Sequence, residues 1–141
     1  MTEFSNTKHG EVLYEAVIKL DPKTKKNSME IKYRRGNYGQ MIPFIGQSDR
    51  YIQYEKDCKW FLRPPRNGTI KEKVNIRYTF YRQKKTRVDL SNLVAAIDDI
   101  LVKYGIIEDD NYTIVTGHDG SRIYFDKENP RTEITIERAE Q

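Results

Sequence analysis

The chain has 141 residues, 37% hydrophobic and 33% charged, which suits one domain with a real core and excludes a wholly disordered polymer. Its 25 basic residues nearly match its 21 acidic ones, for a net charge of +4, so nucleic-acid binding is permitted but depends on where the basic residues cluster. The single Cys58 excludes an internal disulfide. It fits a reducing compartment and a buried place on a helix face. The chain has no long apolar run, so no membrane span or secretory signal is expected, and the cytoplasm is the default location.

Residues 1–10 are polar and aperiodic. They are read as a flexible N-terminal tail ahead of a domain over 11–141. From Glu11 to Leu20, the residues Val12, Tyr14, Ala16, Ile18 and Leu20 recur at period two and predict a first strand. Leu13 and Val17 blur that alternation and point to cover on both faces. Asp21-Pro22 breaks the strand. Lys23, Lys25 and Lys26 precede a short strand from Met29 to Tyr33, with Arg34 and Arg35 at its end. Gly36-Asn37-Tyr38-Gly39 is a turn, and Met41 to Ile45 completes a hairpin. Taken alone, these basic residues read as a solvated loop rather than a phosphate-contacting arm.

Ser48 is placed to cap a helix running to about Leu62. Tyr51, Tyr54, Cys58, Phe61 and Leu62 share one stripe, with Trp60 off it, and are read as core. Arg63-Pro64-Pro65 ends that helix. Ile70 to Tyr81 is the clearest strand, with Val74, Ile76, Tyr78 and Phe80 alternating with Asn75, Arg77 and Thr79. It leads into Arg82-Gln83-Lys84-Lys85-Thr86-Arg87, the densest basic run. A second helix follows, its buried face made by Leu93, Ala96, Ile97, Ile100, Leu101 and Tyr104. Asp89 or Ser91 caps its start, and Gly105 suits its stop. Tyr112 to Thr116 and Ser121 to Phe125 read as strands around a Gly117-His118-Asp119-Gly120 turn. Thr132, Ile134 and Ile136 alternate with Glu133, Thr135 and Glu137 in a last, half-exposed strand. This order predicts an α+β single domain, a mixed or antiparallel sheet with two main helices.

The stretch from Arg87 to Asn111 carries the chemistry. Asn92, Ala95 and Asp99 lie on nearly the same helix line as Asp89. A chain that turns back at Gly105 brings Asp109 or Asp110 towards Asp89. Carboxylates converging from two elements suit a hard divalent cation, Mg²⁺ above all, which takes one or two carboxylates plus waters and substrate phosphate. The plainer account is that Asp89 caps a helix and Asp109-Asp110-Asn111 makes a turn. The basic loop beside the acidic group favours the first account, since it sets phosphate-binding charge next to metal-binding charge. His118 has no histidine or cysteine nearby in the chain, so zinc is not expected. His118 and Asp119 read first as turn residues and second as helpers facing the acidic cluster.

Arg87-Val88-Asp89-Leu90-Ser91-Asn92-Leu93, then Asp99-Ile100-Leu101, Gly105 and Asp109-Asp110, resembles the RusA family of Holliday-junction resolvases. Lys25-Lys26-Asn27-Ser28, Asp119-Gly120-Ser121-Arg122 and Asn129-Pro130-Arg131-Thr132-Glu133 are similar to its Gram-positive and phage branch. The resemblance implies a Mg²⁺- or Mn²⁺-dependent endonuclease that resolves four-way junctions as a homodimer. It implies Asp89 and Asp110 as catalytic metal ligands, with Ser91, Asn92, Asp99 and Asp109 in support. It also implies a DNA surface that takes in Lys25, Lys26, Arg82, Lys84, Lys85 and Arg87.

Two positions depart from the family pattern. Ser91 stands where an aspartate is expected, and Ala95 stands where a lysine is expected. A lost carboxylate and a lost cation each remove charge stabilisation from the transition state. Lys84, Lys85 or Arg87 are the available replacement cations. Glu108, Asp98 or Asp119 are the available carboxylates. The competing expectation is therefore a catalytically impaired descendant that binds branched DNA or regulates a partner.

Overall fold

A computed structural model describes residues 10–25 and 29–139. The tail expected at 1–10, Gly10 apart, lies outside the described residues, as do Lys26, Asn27 and Ser28. Seven strands and two helices follow in the order β1 (Val12–Ile18), β2 (Met29–Arg35), β3 (Met41–Gln47), α1 (Asp49–Cys58), β4 (Val74–Arg82), α2 (Leu90–Lys103), β5 (Val115–Gly117), β6 (Arg122–Phe125) and β7 (Arg131–Arg138). The molecule is α+β, with a mixed sheet. β1 and β4 both run antiparallel to β7, while β5 and β6 run parallel to β4 on its other edge.

The register shows how the core is built. Paired residues in adjacent strands point to the same face of a sheet. Tyr14 pairs with Ile136, which pairs with Ile76; Ala16, Ile134 and Tyr78 form the next row; Ile18, Thr132 and Phe80 form the third. All nine are buried. Against this face α1 contributes Tyr51, Tyr54 and Cys58, and α2 contributes Leu93, Ala96, Ile97, Ile100 and Leu101. The opposite face, with Arg77, Thr79, Glu133, Thr135 and Glu137, stays half-exposed, as is usual for antiparallel pairs covered on one side.

Local differences from the sequence expectations have physical causes. β1 is covered on one face only, since Val17 is exposed, and a register shift between Val12 and Tyr14 takes Val12 out of the buried row. The first helix ends as α-helix at Cys58 and tightens into a 3₁₀ turn over Lys59–Phe61. Phe61 and Leu62 are therefore only partly buried, and Trp60 points outward. The clear strand begins at Val74, because Ile70 is held apart in an isolated parallel bridge to Ile107. Residues 111–114 are turn rather than strand. Asn111 accepts from the amide of Thr113 through its side chain, and its carbonyl accepts from Ile114 and Val115. The strand starts only at Val115.

α2 stops as expected. Gly105 has φ +74°, its amide donates to Val102, and the Ile106 amide donates back to Leu101. These paired bonds form a Schellman motif, for which a residue without Cβ is favoured. Ile106 and Ile107 are then buried, and the Glu108 amide donates to the Ile70 carbonyl. That tie fixes where Asp109 and Asp110 emerge.

Candidate active site

Asp89 stands at the N-cap of α2 with extended backbone (φ −91°, ψ 132°), yet its side chain makes no capping hydrogen bond. Ordinarily an aspartate here accepts from the amide of the second or third helical residue. Its carboxylate is left exposed, with Asn92 Nδ2 at 3.5 Å from Oδ2. The acid is placed by the backbone of the cap, and its oxygens accept no amide of the helix, only the long bond from Asn92.

At the other end of the stretch, Asp109 is tied down. Its Oδ1 accepts from the Asp110 amide at 2.7 Å and its Oδ2 from Asn111 Nδ2 at 3.0 Å. Asp110 projects beyond that turn. Partial burial holds its carboxyl above the ordinary aspartate range, and the neighbouring Asp109, Asp98 and Asp99 push it the same way. Asp99 itself pairs with Lys25, whose Nζ lies 3.2 Å from Oδ2.

Two cavities flank the open side of α2, and Ala95 lines both. One, of about 280 Å³, is closed by the base of the hairpin through Met29 and Gln47, and is lined by Lys25, Asn92 and Asp99. The other, of about 380 Å³, lies towards the β5–β6 turn and is lined by Ser91, Asp98, His118 and Arg122 among others. The two departures from the family pattern, Ser91 and Ala95, therefore sit together at the second cavity.

Behind that cavity lies a buried network of which sequence reasoning named Asp98 and His118 separately, as a spare carboxylate and a helper, but neither their pairing nor Tyr78. Asp98 is 6% exposed. It accepts from the Tyr78 hydroxyl at 2.6 Å and lies 3.0 Å from His118 Nε2. Burial and the Asp98 charge together raise the Tyr78 hydroxyl well above its usual range, so it stays a donor. His118 is also stacked on the Tyr78 ring, with centroids 5.8 Å apart. The one available signal was helical spacing: Ser91, Ala95 and Asp98 follow each other on one face at four and three residues. His118 is joined to them only by the sheet. Asp119 stands elsewhere. Its backbone is bonded by the Asn75 side chain, in a separate cavity with Arg77 and Glu137.

The basic run divides by role. Arg82 bonds the Thr86 carbonyl and hydroxyl and so closes its own loop. Lys84, Lys85 and Arg87 are exposed, with Lys85 Nζ 4.7 Å from the Phe125 ring centre. The loop ends two residues before Asp89.

A sequence model described as endodeoxyribonuclease RusA matches residues 20–137. The chain belongs to the RusA family. The match takes in both helices and every strand but β1, and it ends one residue inside β7. No curated protein matches the chain as a relative. Members of the RusA family are endodeoxyribonucleases, which makes DNA the substrate class and phosphodiester hydrolysis the reaction class. In this RusA-family chain no described helix is long and apolar enough to cross a membrane. No three or more of the described histidines, cysteines and acids are gathered as a ligand set.

Proposed function

We propose that the protein is a divalent-metal-dependent endonuclease that resolves four-way DNA junctions as a homodimer. The observation that carries this is Asp89: a family-pattern aspartate at a helix cap that does not use its carboxylate for capping. Asp89 and Asp110 would hold Mg²⁺ or Mn²⁺, with Asn92, Asp99, Asp109 and Ser91 as supporting groups. A bound divalent ion would polarise the phosphate and offset charge that develops during in-line attack. Asp109 orients Asp110 through the turn it closes. Lys25 neutralises Asp99 and brings a cation to the cavity beside Ala95. Lys84, Lys85 and Arg87 hold the backbone of the incoming strand, with Arg82 on the same DNA surface.

The hairpin supports the dimer. Met29, Ile31, Tyr33, Met41 and Ile45 share one of its faces by register, and all are exposed. A contiguous apolar face of this kind marks an association surface, and two copies related by a two-fold axis would set two active sites on a symmetric junction.

The test is cleavage of a synthetic four-way junction with and without Mg²⁺ or Mn²⁺. Wild type cuts only with metal. Asp89→Asn and Asp110→Asn each lose about 10³-fold or more, on the scale of lost transition-state charge stabilisation, while still binding the junction. Wild type that binds but never cuts, across several divalent metals, would sink the reading.

A second reading draws on Ser91 and Ala95, which bring neither carboxylate nor cation to their cavity. On it the chain binds branched DNA without cutting. Cleavage gained by Ser91→Asp with Ala95→Lys, from an inactive wild type, would select it.

A further inference from the structure

The Asp98–His118 pair has a role that goes beyond the nuclease reading and rests on it. A buried carboxylate must be satisfied by donors. Asp98 receives the Tyr78 hydroxyl at 2.6 Å and is within hydrogen-bond distance of His118 Nε2 through both its oxygens, at 3.1 and 3.0 Å. An ionised carboxylate only accepts, so the pairing requires the hydrogen on Nε2. The ring plane is fixed a second time by its stack on Tyr78, at 25° between planes.

Nothing among the described residues bonds the other nitrogen, Nδ1. The His118 side chain is 30% exposed and lines the cavity of about 380 Å³ with Ser91, Ala95 and Arg122. The Asp98 charge reaches Asp110, and the Asp110 charge reaches the Tyr78 hydroxyl. The network therefore adjoins the acidic site. A carboxylate that needed only to be buried safely would not require a half-open imidazole. An imidazole held by a carboxylate on one edge and open to a cavity on the other is suited to proton transfer.

We propose that His118 is a catalytic residue, whose Asp98-held imidazolium donates its Nδ1 proton to the oxygen that leaves when the phosphodiester is cut. Water oxygen forms the new bond to phosphorus and releases a proton to solvent. The leaving oxygen keeps the electron pair of the broken bond and takes the Nδ1 proton. His118 is left neutral and regains a proton from solvent. Asp98 keeps its charge throughout and acts as a positioning residue. Arg122, on the same cavity, holds a non-bridging phosphate oxygen.

The experiment compares wild type, His118→Gln and Asp98→Asn on two junctions. One is natural DNA. The other carries sulfur in place of the bridging oxygen that leaves at the mapped cut site, because a thiolate departs without a proton. Folding and junction binding are followed by circular dichroism and fluorescence anisotropy. On natural DNA, His118→Gln is expected to be slower by about 10²-fold or more, the usual scale for a lost general acid. On the sulfur junction it should cut within about tenfold of wild type, since the acid alone has been lost. Asp98→Asn, which leaves the ring in place, should show the same pattern more weakly. Asp89→Asn should cut neither junction.

Wild-type rates for His118→Gln on natural DNA would overturn the assignment. So would an equal loss on both junctions by folded, junction-binding variants. Both of these leave the nuclease reading standing. Wild type that cuts neither junction overturns the nuclease reading and this one with it.

Discussion

The β2–β3 hairpin and the β4–β7 pair carry similar alternating patterns and meet opposite fates. In β4 and β7 the rows Ile76–Ile136 and Tyr78–Ile134 are closed over by α1 and α2. In the hairpin the row Ile31–Ile45 is 67% and 71% exposed. Alternation specifies that one face of a strand is apolar, and it does not specify what covers that face. The hairpin is tied to the body through its other side, where Lys32 Nζ meets Asp49 at 2.9 Å. Buried apolar contact is concentrated in the covered sheet, and exposed apolar surface in the arm.

The contrast breaks most visibly at Leu101. Fully buried on α2, it should cost about 2–5 kcal/mol as Leu101→Ala by chemical denaturation, whereas Ile31→Ala should stay within about 0.5 kcal/mol. With both measured at concentrations where the protein is monomeric, comparable costs would mean that the hairpin face is covered by its own chain. Asp98→Ala should follow, at about 2–4 kcal/mol, because it strands the buried Tyr78 hydroxyl and takes away the partner of His118. A neutral result there would mean that the network contributes nothing to stability.

Ile31→Glu with Ile45→Glu should leave the melting temperature of the body nearly unchanged. It should convert dimers to monomers in light scattering. Wild type that is monomeric at high concentration would take the dimer out of the comparison. Lys84→Ala and Lys85→Ala should each weaken junction binding without changing which DNA is chosen, and each should lower the log–log salt slope by roughly 1.

The smallest effect belongs to Asp110. Its carboxyl titrates above the ordinary value of 3.8, so the native state disfavours its charge. The associated stability is present below the unfolded pKa and is lost as pH rises through the raised native one. Asp110→Asn should therefore raise the metal-free melting temperature at neutral pH by about 1 °C or less, since the group is exposed and screened. A fall in melting temperature would show that the charged acid is held by an attraction rather than disfavoured by burial and its acidic neighbours.

Local rules carried much of the fold. The Val74 to Tyr81 alternation, the helical face of Leu93 to Leu101 and the stop at Gly105 are each set by near-neighbour geometry. The candidate site was legible where it is contiguous. Asp89, Asn92 and Asp99 could be placed on one helix because three- and four-residue spacings superpose on a helix surface. Asp109 and Asp110 could be anticipated beyond its end. The strand ends were less legible, because the Asn111 turn and the Ile70–Ile107 bridge depend on how the chain packs rather than on alternation.

Ser91 and Ala95 show the division best. Sequence by itself determined that a carboxylate and a lysine are missing there, since that is a matter of residue identity along one helix. Tertiary structure alone decided what stands beside them. Tyr78 on β4, Asp98 on α2 and His118 on the β5–β6 turn become one hydrogen-bonded group only when β5 and β6 pair with β4 beneath α2. Lys25 reaches Asp99 across 74 residues for the same reason. Contacts of that range are set by sheet pairing and helix cover, and no periodicity in the chain encodes them.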